Sequence, residues 1–376
     1  MLPLSLRRIL ALARKELLAV LKDRRTRLSL LVPVLVQTLV FGYAASYDLN
    51  RVPYVLFARD SGEAATALIA RFDGTGLFQR VATVSRERDL RAAIDARRAL
   101  LAISIPQDFS RRLAAGRPAE VQLIADGRNS NTANTALGYA QSVVSAFNAH
   151  WRAAHGVPQP PVSLLSRAWY NPNLVTRWDM VPGLIGTLTL LQTLLLTAMS
   201  VARERELGTF DQLLVTPMRP AEIMAGKALP AMLIGIAQAS GVLLVAQLWF
   251  RIPFEGSFAV LYGGLVLFVL AAVGIGLVVS ALSYTMQQAM LYSFVLLMPF
   301  TLLSGLTTPI ANMPRVLQYF TRINPLRYAI DIAQRVYLEG AGPRLLLPDL
   351  WPLTLIAVVT LSAASWMFRH RLQRPP

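Results

Sequence analysis

The chain contains no cysteine. Disulfides, thiolate catalysis and cysteine-ligated metal sites are therefore excluded. Charge is also scarce: 15% of the 376 residues are charged, where a soluble domain carries about a quarter. Lysine is confined to Lys15, Lys22 and Lys227, so almost all the cations behind the net charge of +16 are arginine, a bias we attribute to genome composition. A basic excess in so apolar a chain reports topology and anionic lipid, and no basic patch interleaved with aromatics points to nucleic acid. Of the three histidines, His150 and His155 lie five apart, the wrong spacing for one helical face, and no metal site is expected. No Ser/His/Asp set or carboxylate pair stands out, so no enzyme activity and no cofactor are expected.

What fills the chain is apolar: 54% hydrophobic residues and a mean hydropathy of +0.46. Five tracts carry no charge over roughly the thickness of a bilayer core, at 28–47, 180–202, 228–250, 256–314 and 350–368. The fourth is too long for one helix and contains the polar break Ser283-Tyr284-Thr285-Met286-Gln287-Gln288. Dividing it into 258–282 and 289–308 gives six spans. Backbone in lipid must satisfy its own hydrogen bonds, so the spans are helices. Pro33, Gly183, Gly274, Gly276 and Pro299 inside them are tolerated and permit close packing. The first tract has the outline of a signal peptide, but at about twenty residues it is long enough to span and is expected to be retained.

Arg7, Arg8, Arg14, Lys15, Lys22, Arg24, Arg25 and Arg27 precede the first span, and short basic flanks stay cytoplasmic. Six crossings then return the tail 369–376 to the cytoplasm and place 203–227 there too. The arginine-rich segment 48–177 falls outside, since long domains translocate largely regardless of charge. The expected location is a cytoplasmic membrane, the inner one of a Gram-negative envelope. Within 1–27, Leu6, Ile9, Leu10, Ala13, Leu17, Val20 and Leu21 recur at helical spacing, with Arg7, Arg8, Arg14, Lys15 and Lys22 largely off that face. This is an amphipathic helix suited to the inner interface; its alternative is an ordinary helix packed on protein.

In 48–177, strand-like runs at 52–58, 81–84, 100–105 and 121–125 alternate with helical ones at 63–72, 86–99, 108–115 and 132–149. The fold class expected is thus a six-span helical membrane protein with an α/β extracytoplasmic domain inserted between spans one and two. Asp126-Gly127-Arg128-Asn129 follows the last strand, where α/β domains often bind ligands, but a turn into a capped helix is the better reading. The domain reads as a binding, gating or docking module.

The loop 203–227 runs Arg203-Glu204-Arg205-Glu206-Leu207-Gly208-Thr209-Phe210-Asp211-Gln212-Leu213-Leu214-Val215-Thr216-Pro217 and on through Arg219, Glu222, Gly226 and Lys227. Thr209 can cap a short helix bearing Phe210, Leu213 and Leu214, stopped by Pro217; a second short helix follows Pro220. Glu222 suits the first turn of that helix. Such an element, joined to spans on both sides, can transmit a push from a soluble partner; a plain connecting loop is the equal alternative on physics alone. Gly226-Lys227 is not a phosphate loop, because the earlier glycine is missing and Ala228 follows.

The loop resembles the signature of ABC-2-type transporter permeases. Arg14-Lys15-Glu16-Leu17 with Asp23-Arg24-Arg25 is similar to that family's N-terminal interface helix. Asp126, Asn131-Thr132-Ala133-Asn134-Thr135 and Tyr170-Asn171-Pro172 resemble the external domain of its large-insert branch, which includes bacterial multidrug and sodium exporters. Ser304-Gly305, Pro309, Met313-Pro314 and Asn324-Pro325-Leu326-Arg327-Tyr328 resemble its re-entrant turn and external helices, here 309–349. The resemblance implies two permeases, identical or paralogous, paired with two ATPase subunits that bind the ATP, with a periplasmic adaptor as a further candidate partner. It implies ATPase coupling through Glu204, Arg205, Glu206, Gly208, Thr209, Gln212, Leu213, Pro217, Arg219, Glu222, Gly226 and Lys227, and an interface helix using Lys15, Glu16, Asp23 and Arg24. The cargo it leaves open is drug-like, lipid-like or ionic. Two other classes compete with this one. An ion-coupled transporter would need ionisable groups inside the spans, which are uncharged; a membrane-anchored sensor would use the external domain alone.

Overall fold

The computed structural model describes residues 4–44, 49, 51–156, 170–171, 175–209 and 218–372. Two compact units divide the chain: Tyr47–Arg167, and Met1–Ser46 together with Ala168–Pro376.

The smaller unit is a four-stranded mixed sheet with helices on both faces. Its elements are β1 (Val52–Ala58), α3 (Glu63–Gly74), β2 (Phe78–Thr83), α4 (Glu87–Asp95), β3 (Leu101–Ile105), α5 (Phe109–Ala114), β4 (Gln122–Ala125) and α6 (Ser130–His155). The order is β2-β1-β3-β4; β1 pairs in parallel with β2 and β3, and β3 antiparallel with β4. Burial on both faces explains why β1 is an unbroken apolar run and not an alternation. Val52, Tyr54 and Leu56 pack with Leu68, Phe72, Phe109 and Phe147, while Val55 and Phe57 pack with Leu90 and Ala93 of α4. The Tyr54 hydroxyl donates to Asp73 Oδ1 at 2.6 Å, and Arg80 pairs with Asp73 Oδ2 at 2.6 Å, joining β1, α3 and β2. Burial pushes the Tyr54 phenol well above its ordinary pKa. Two bounds differ from the sequence pattern. The strand expected at 81–84 starts at Phe78, whose side chain is the buried one in an otherwise exposed edge strand. The helix expected over 86–99 stops at Asp95, because Arg97 takes a left-handed φ of 56° and the Arg98 and Ala99 amides turn back to the Ala93 carbonyl.

The larger unit is helical: α1 (Leu4–Lys22), α2 (Arg24–Ala44), α7 (Thr176–Glu206), α8 (Pro220–Leu244) with a π-helical turn at Val245–Trp249, α9 (Phe258–Leu282), α10 (Met286–Leu302), α11 (Arg315–Thr321), α12 (Pro325–Glu339) and α13 (Pro343–Leu372). Among the described residues, four segments are long and apolar enough to cross a membrane: Thr176–Glu206, Ala221–Trp249, Phe258–Leu282 and Pro343–His370. Leu30–Tyr43 and Met286–Leu302 are shorter apolar helices. At 17 residues α10 is about 26 Å long, short of a hydrocarbon core of about 30 Å. Its expected continuation to 308 is replaced by a turn in which the Ser304 hydroxyl donates to the Thr301 carbonyl and Gly305 takes a φ of 95°. The first apolar tract, expected at 28–47, is helical from Arg24 to Ala44, and 45–48 lie outside the described residues. Pro220 opens α8 and the helix runs on past Pro230 to Leu244, so the short helix expected after Pro220 and the span expected at 228 are one element.

Helix α9 is the centre of this unit, with Phe268, Val269, Ala271, Ala272 and Val273 fully buried. Two glycines two residues apart open opposite faces of it to close neighbours. A Cβ at Gly274 would lie 2.2 Å from Thr360 Oγ1 of α13, and one at Gly276 would lie 2.7 Å from Thr197 Cβ of α7.

In the smaller unit the Asp60 carboxylate joins two helix starts. It accepts from the Gly62 amide at 2.8 Å and from the Ser110 amide in the first turn of α5, a group with no intrahelical partner. Burial raises the Asp60 pKa, but the Ser110 and Gly62 amides and the Ser110 hydroxyl outweigh it and hold the carboxyl below its ordinary value of 3.8. Replacing Asp60→Asn should cost this unit about 1–2 kcal/mol. Because the native pKa is depressed, the contribution is present above the ordinary carboxylate range and is lost as pH falls through the native value. Limited proteolysis of the full chain as pH is lowered checks both: wild type should open towards acid, and the variant should be open earlier and change less.

Candidate functional site

Three helices meet at one buried cation. Lys227, in α8, has a side chain only 1% exposed. An ammonium taken out of water costs several kcal/mol unless it is paired and hydrogen-bonded. Its three donors have three acceptors: Glu16 Oε1 of α1 at 3.0 Å, Glu204 Oε1 of α7 at 3.3 Å, and the Ser200 carbonyl of α7 at 3.3 Å. Beside it is a cavity of about 120 Å³, polar at Glu16, Arg203 and Glu204 and apolar at Leu196, Met199 and Ile234.

Helix α1 is fastened to α8 at successive turns. Arg8 Nη1 lies 3.9 Å from Glu222 Oε2, and Glu16 bonds Lys227. Between them Leu12 packs onto Gly226, where an added Cβ would fall 2.7 Å from Leu12 Cδ2. Positions 8, 12 and 16 thus climb alongside 222, 226 and 227, and the helices run in the same sense. Glu222 Oε2 also accepts from the Arg219 amide at 2.9 Å, satisfying a donor at the start of α8.

The end of α7 is closed by its own residues. Thr209 donates its hydroxyl to Glu204 Oε2 and its amide to the Glu204 carbonyl at 3.0 Å. Gly208 takes a φ of 69°, the left-handed residue that commonly follows a helix. Thr209 therefore closes α7; the short helix it was expected to cap begins at residues outside those described. Arg205 Nη1 donates to the Ala281 and Ser283 carbonyls at 3.1 and 3.0 Å, and Glu206 Oε2 accepts from the Met286 amide at 2.7 Å. These bonds tie α7 to the turn between α9 and α10.

The structure thus brings together Glu16, Glu204, Thr209 and Lys227, bonds Glu222 to the Arg219 amide and pairs it with Arg8, and sets Gly226 against Leu12. Arg205 and Glu206 belong to a neighbouring contact. Lys15 and Arg24 are exposed, and the Asp23 carbonyl accepts from the Arg27 amide at the junction of α1 and α2. Gln212, Leu213 and Pro217, with the short helix expected around them, lie outside the described residues. Sequence reasoning missed Arg8, Leu12, Ser200 and the 281–286 turn as partners. The polar break at 283–288 was visible, but nothing local showed that it would receive Arg205 and Glu206.

A second charged cluster lies in the same unit. Arg335 of α12 contacts Asp331 and Glu339 at 3.4 Å each and Asp349 of α13 at 3.3 Å, beside a cavity of about 260 Å³ lined by Ser304, Arg327, Gln334 and both aspartates. In the α/β unit, Arg128 folds back onto Asp126 and Asn129 Oδ1 accepts from the Thr132 amide at 3.2 Å, so that tetrad is a turn and a cap. Among the described residues no group of three or more His, Cys, Asp or Glu is placed to hold a metal.

Apolar helices of spanning length, locked by a fully paired buried cation, define an integral membrane protein of helical type. A family model described as "ABC-2 family transporter protein" matches residues 24–366, and the chain belongs to that family. It is 42% identical over 366 residues to "Probable multidrug ABC transporter permease YbhR" of Escherichia coli (strain K12), covering 97% of this chain and 99% of the relative. It is 30% identical over 374 residues to "Inner membrane transport permease YhhJ" of the same organism, and 28% over 376 residues to "Probable multidrug ABC transporter permease YbhS", in each case covering 98% of both chains. The chain is thus an ABC-2 permease, a membrane transport subunit.

Because Lys227 is the cation that two carboxylates share, Lys227→Met should destabilise the helical unit by about 3 kcal/mol, and adding Glu204→Gln should recover part of that loss. Thermal unfolding of the four members of this double-mutant cycle in detergent checks it; equal losses in both backgrounds would show that the pair is not coupled.

Proposed function

We propose that this chain is the membrane subunit of an ATP-driven exporter, moving a drug-like, lipid-like or ionic substrate out across the cytoplasmic membrane with work done by a separate ATPase. The observation that carries the reading is the Lys227 joint. Glu204 and Lys227 flank the segment 205–226 and are bonded to each other, so a force on that segment reaches α7 and α8 together, and α1 through Glu16. A low-dielectric ion pair resists separation, which suits a part that must move as a block. Family membership supports an ABC ATPase as the source of the force.

In this role 203–227 lies in the cytoplasm as the coupling segment, both termini are cytoplasmic, six helices span, and the α/β unit is extracytoplasmic. The functional unit is two permease copies, or this chain and a paralogue, with two ATPase subunits; a periplasmic adaptor is a further candidate partner. Residues 204–209 fix the direction in which the chain leaves α7, and 219–222 fix its entry into α8. The segment between them, with Gln212, Leu213 and Pro217, would then meet the ATPase in a set orientation.

The chain should co-purify with an ABC ATPase, and vesicles bearing the complex should move substrate only with ATP. Gly208→Val, which forces a branched side chain into a left-handed conformation, and Glu206→Gln, which weakens the bond to Met286, should each cut ATP-driven transport roughly tenfold while the complex stays assembled. Transport that is indifferent to both changes would remove the coupling role; transport without any ATPase would remove the exporter reading.

A further inference from the structure

We propose that a cavity between the start of α7, the loop ahead of α9 and the end of α12 binds bulky organic cations. Its volume is about 580 Å³, the size that takes a drug-scale ligand, and its wall includes Tyr170, Trp178, Pro253, Glu255, Leu338 and Glu339. Lys and Arg outnumber Asp and Glu in the chain by 37 to 21, yet the two charged side chains on this wall are both carboxylates. Arg177, Arg251 and Arg344 are close to these segments in sequence, but none lines the cavity. Among the described residues the Glu255 carboxylate has no ion pair and no hydrogen-bond donor. Glu339 meets Arg335 at 3.4 Å, a guanidinium that Asp331 and Asp349 also share. The wall thus carries negative charge that the protein itself leaves largely unmatched.

Both sides of the cavity are held in place. Trp178 is in the first turn of α7, and Asn171 fixes the entry to that helix by bonding the Val175 carbonyl at 2.9 Å and the Val175 amide at 3.0 Å. Tyr170, directly before Asn171, takes a left-handed φ of 65°, rare for a residue with a side chain, and its ring is half-exposed. Across from them, Phe254 stacks on Phe258 at 4.4 Å and meets buried Tyr337 edge-on at 5.0 Å, while the Glu255 amide donates to the Tyr337 carbonyl at 3.0 Å. Gly256 lets the loop close onto α12, since a Cβ there would collide with the Val336 carbonyl. Electron-rich ring faces and carboxylates attract the same ligand charge, and indole is the strongest such face. A bare metal ion such as calcium wants about six oxygens or more, and this wall offers two carboxylates among rings, Pro253 and Leu338. A cation with an apolar body satisfies both kinds of surface. Trp178 and Glu204 stand at opposite ends of α7, roughly 39 Å apart at about 1.5 Å per residue, so the cavity is remote from the Lys227 joint. The inference goes beyond the exporter reading and rests on it only for placing the cavity on the outward side.

The test is equilibrium dialysis of the full chain alone, in an uncharged maltoside detergent, against radiolabelled tetraphenylphosphonium. Binding should be saturable and should weaken as salt screens the carboxylates. Tetraphenylborate, the same shape with the opposite charge, should neither bind saturably nor compete. Glu255→Gln, a change on an exposed loop, should weaken tetraphenylphosphonium roughly fivefold. Trp178→Leu should weaken it roughly fivefold or more, and Trp178→Phe, which keeps a ring, should cost less. If Trp178→Leu fails to fold, Glu255→Gln and the charge preference of the wild type decide. No saturable binding, or binding unchanged in both Glu255→Gln and Trp178→Leu, overturns the proposal. So does equal binding of tetraphenylborate, which would leave Tyr170 and Trp178 as ordinary aromatic anchors at a membrane interface. The measurement contains no ATPase, so absent ATP-driven transport would remove the exporter reading and leave this one standing.

Discussion

A lysine ammonium with almost no access to water must have every donor met, and that requirement organises one end of the helical unit. Lys227 can be satisfied only if α1 delivers Glu16 and α7 delivers Glu204 to the same point, with the Ser200 carbonyl as third acceptor. Losing Lys227 leaves two carboxylates without their cation, and losing either carboxylate leaves a buried lysine donor unmet, so the three helices keep their relation or lose it together. Gly226 makes the arrangement geometrically possible by letting Leu12 reach the backbone of α8. Elsewhere in the unit, apolar packing around α9 is non-directional and specifies nearness more than register; the charged joint specifies register.

The ends of α7 and α8 extend the same logic. Each closes its helix with its own residues, Thr209 and Gly208 on one side and Glu222 on the other. The chain therefore leaves and re-enters the joint in fixed directions. An ABC-2 permease draws its energy from outside its own chain in the role proposed above, and a part that receives force works best where the surrounding helix ends do not fray. The cluster around Arg335 has related chemistry, one cation bridging carboxylates on α12 and α13.

The α/β unit is built differently. Its stability comes from a sheet covered on both faces and from polar ties such as Tyr54–Asp73–Arg80 and Asp60 with the starts of two helices. Nothing in it needs the apolar surroundings of the helical unit, which is why it reads as soluble protein set into a membrane chain.

Much of this was legible in the residues alone, for physical reasons. Absence of charge over long tracts marks lipid-compatible helices, since no other backbone satisfies itself there. Apolar runs punctuated by turn residues mark the strands: 52–58 is a short apolar run, and the structure shows that it lacks a polar face because both sides are covered. The loop 203–227 was singled out by its residue types and its likeness to a family signature, and Glu204, Gly226 and Lys227 fall in the joint. What local pattern could not decide was partnership. Glu16 and Lys227 stand 211 residues apart, and a carboxylate on an amphipathic helix looks the same whether it meets water or a buried lysine. Nor could periodicity reveal that α8 runs unbroken through Pro230, that α10 stops short at Leu302, or that protein covers half of the apolar side of α1. Composition determined the solvent each segment can live in. Only tertiary structure decided which charges leave water together, because burial of a charge depends on neighbours drawn from anywhere along the chain.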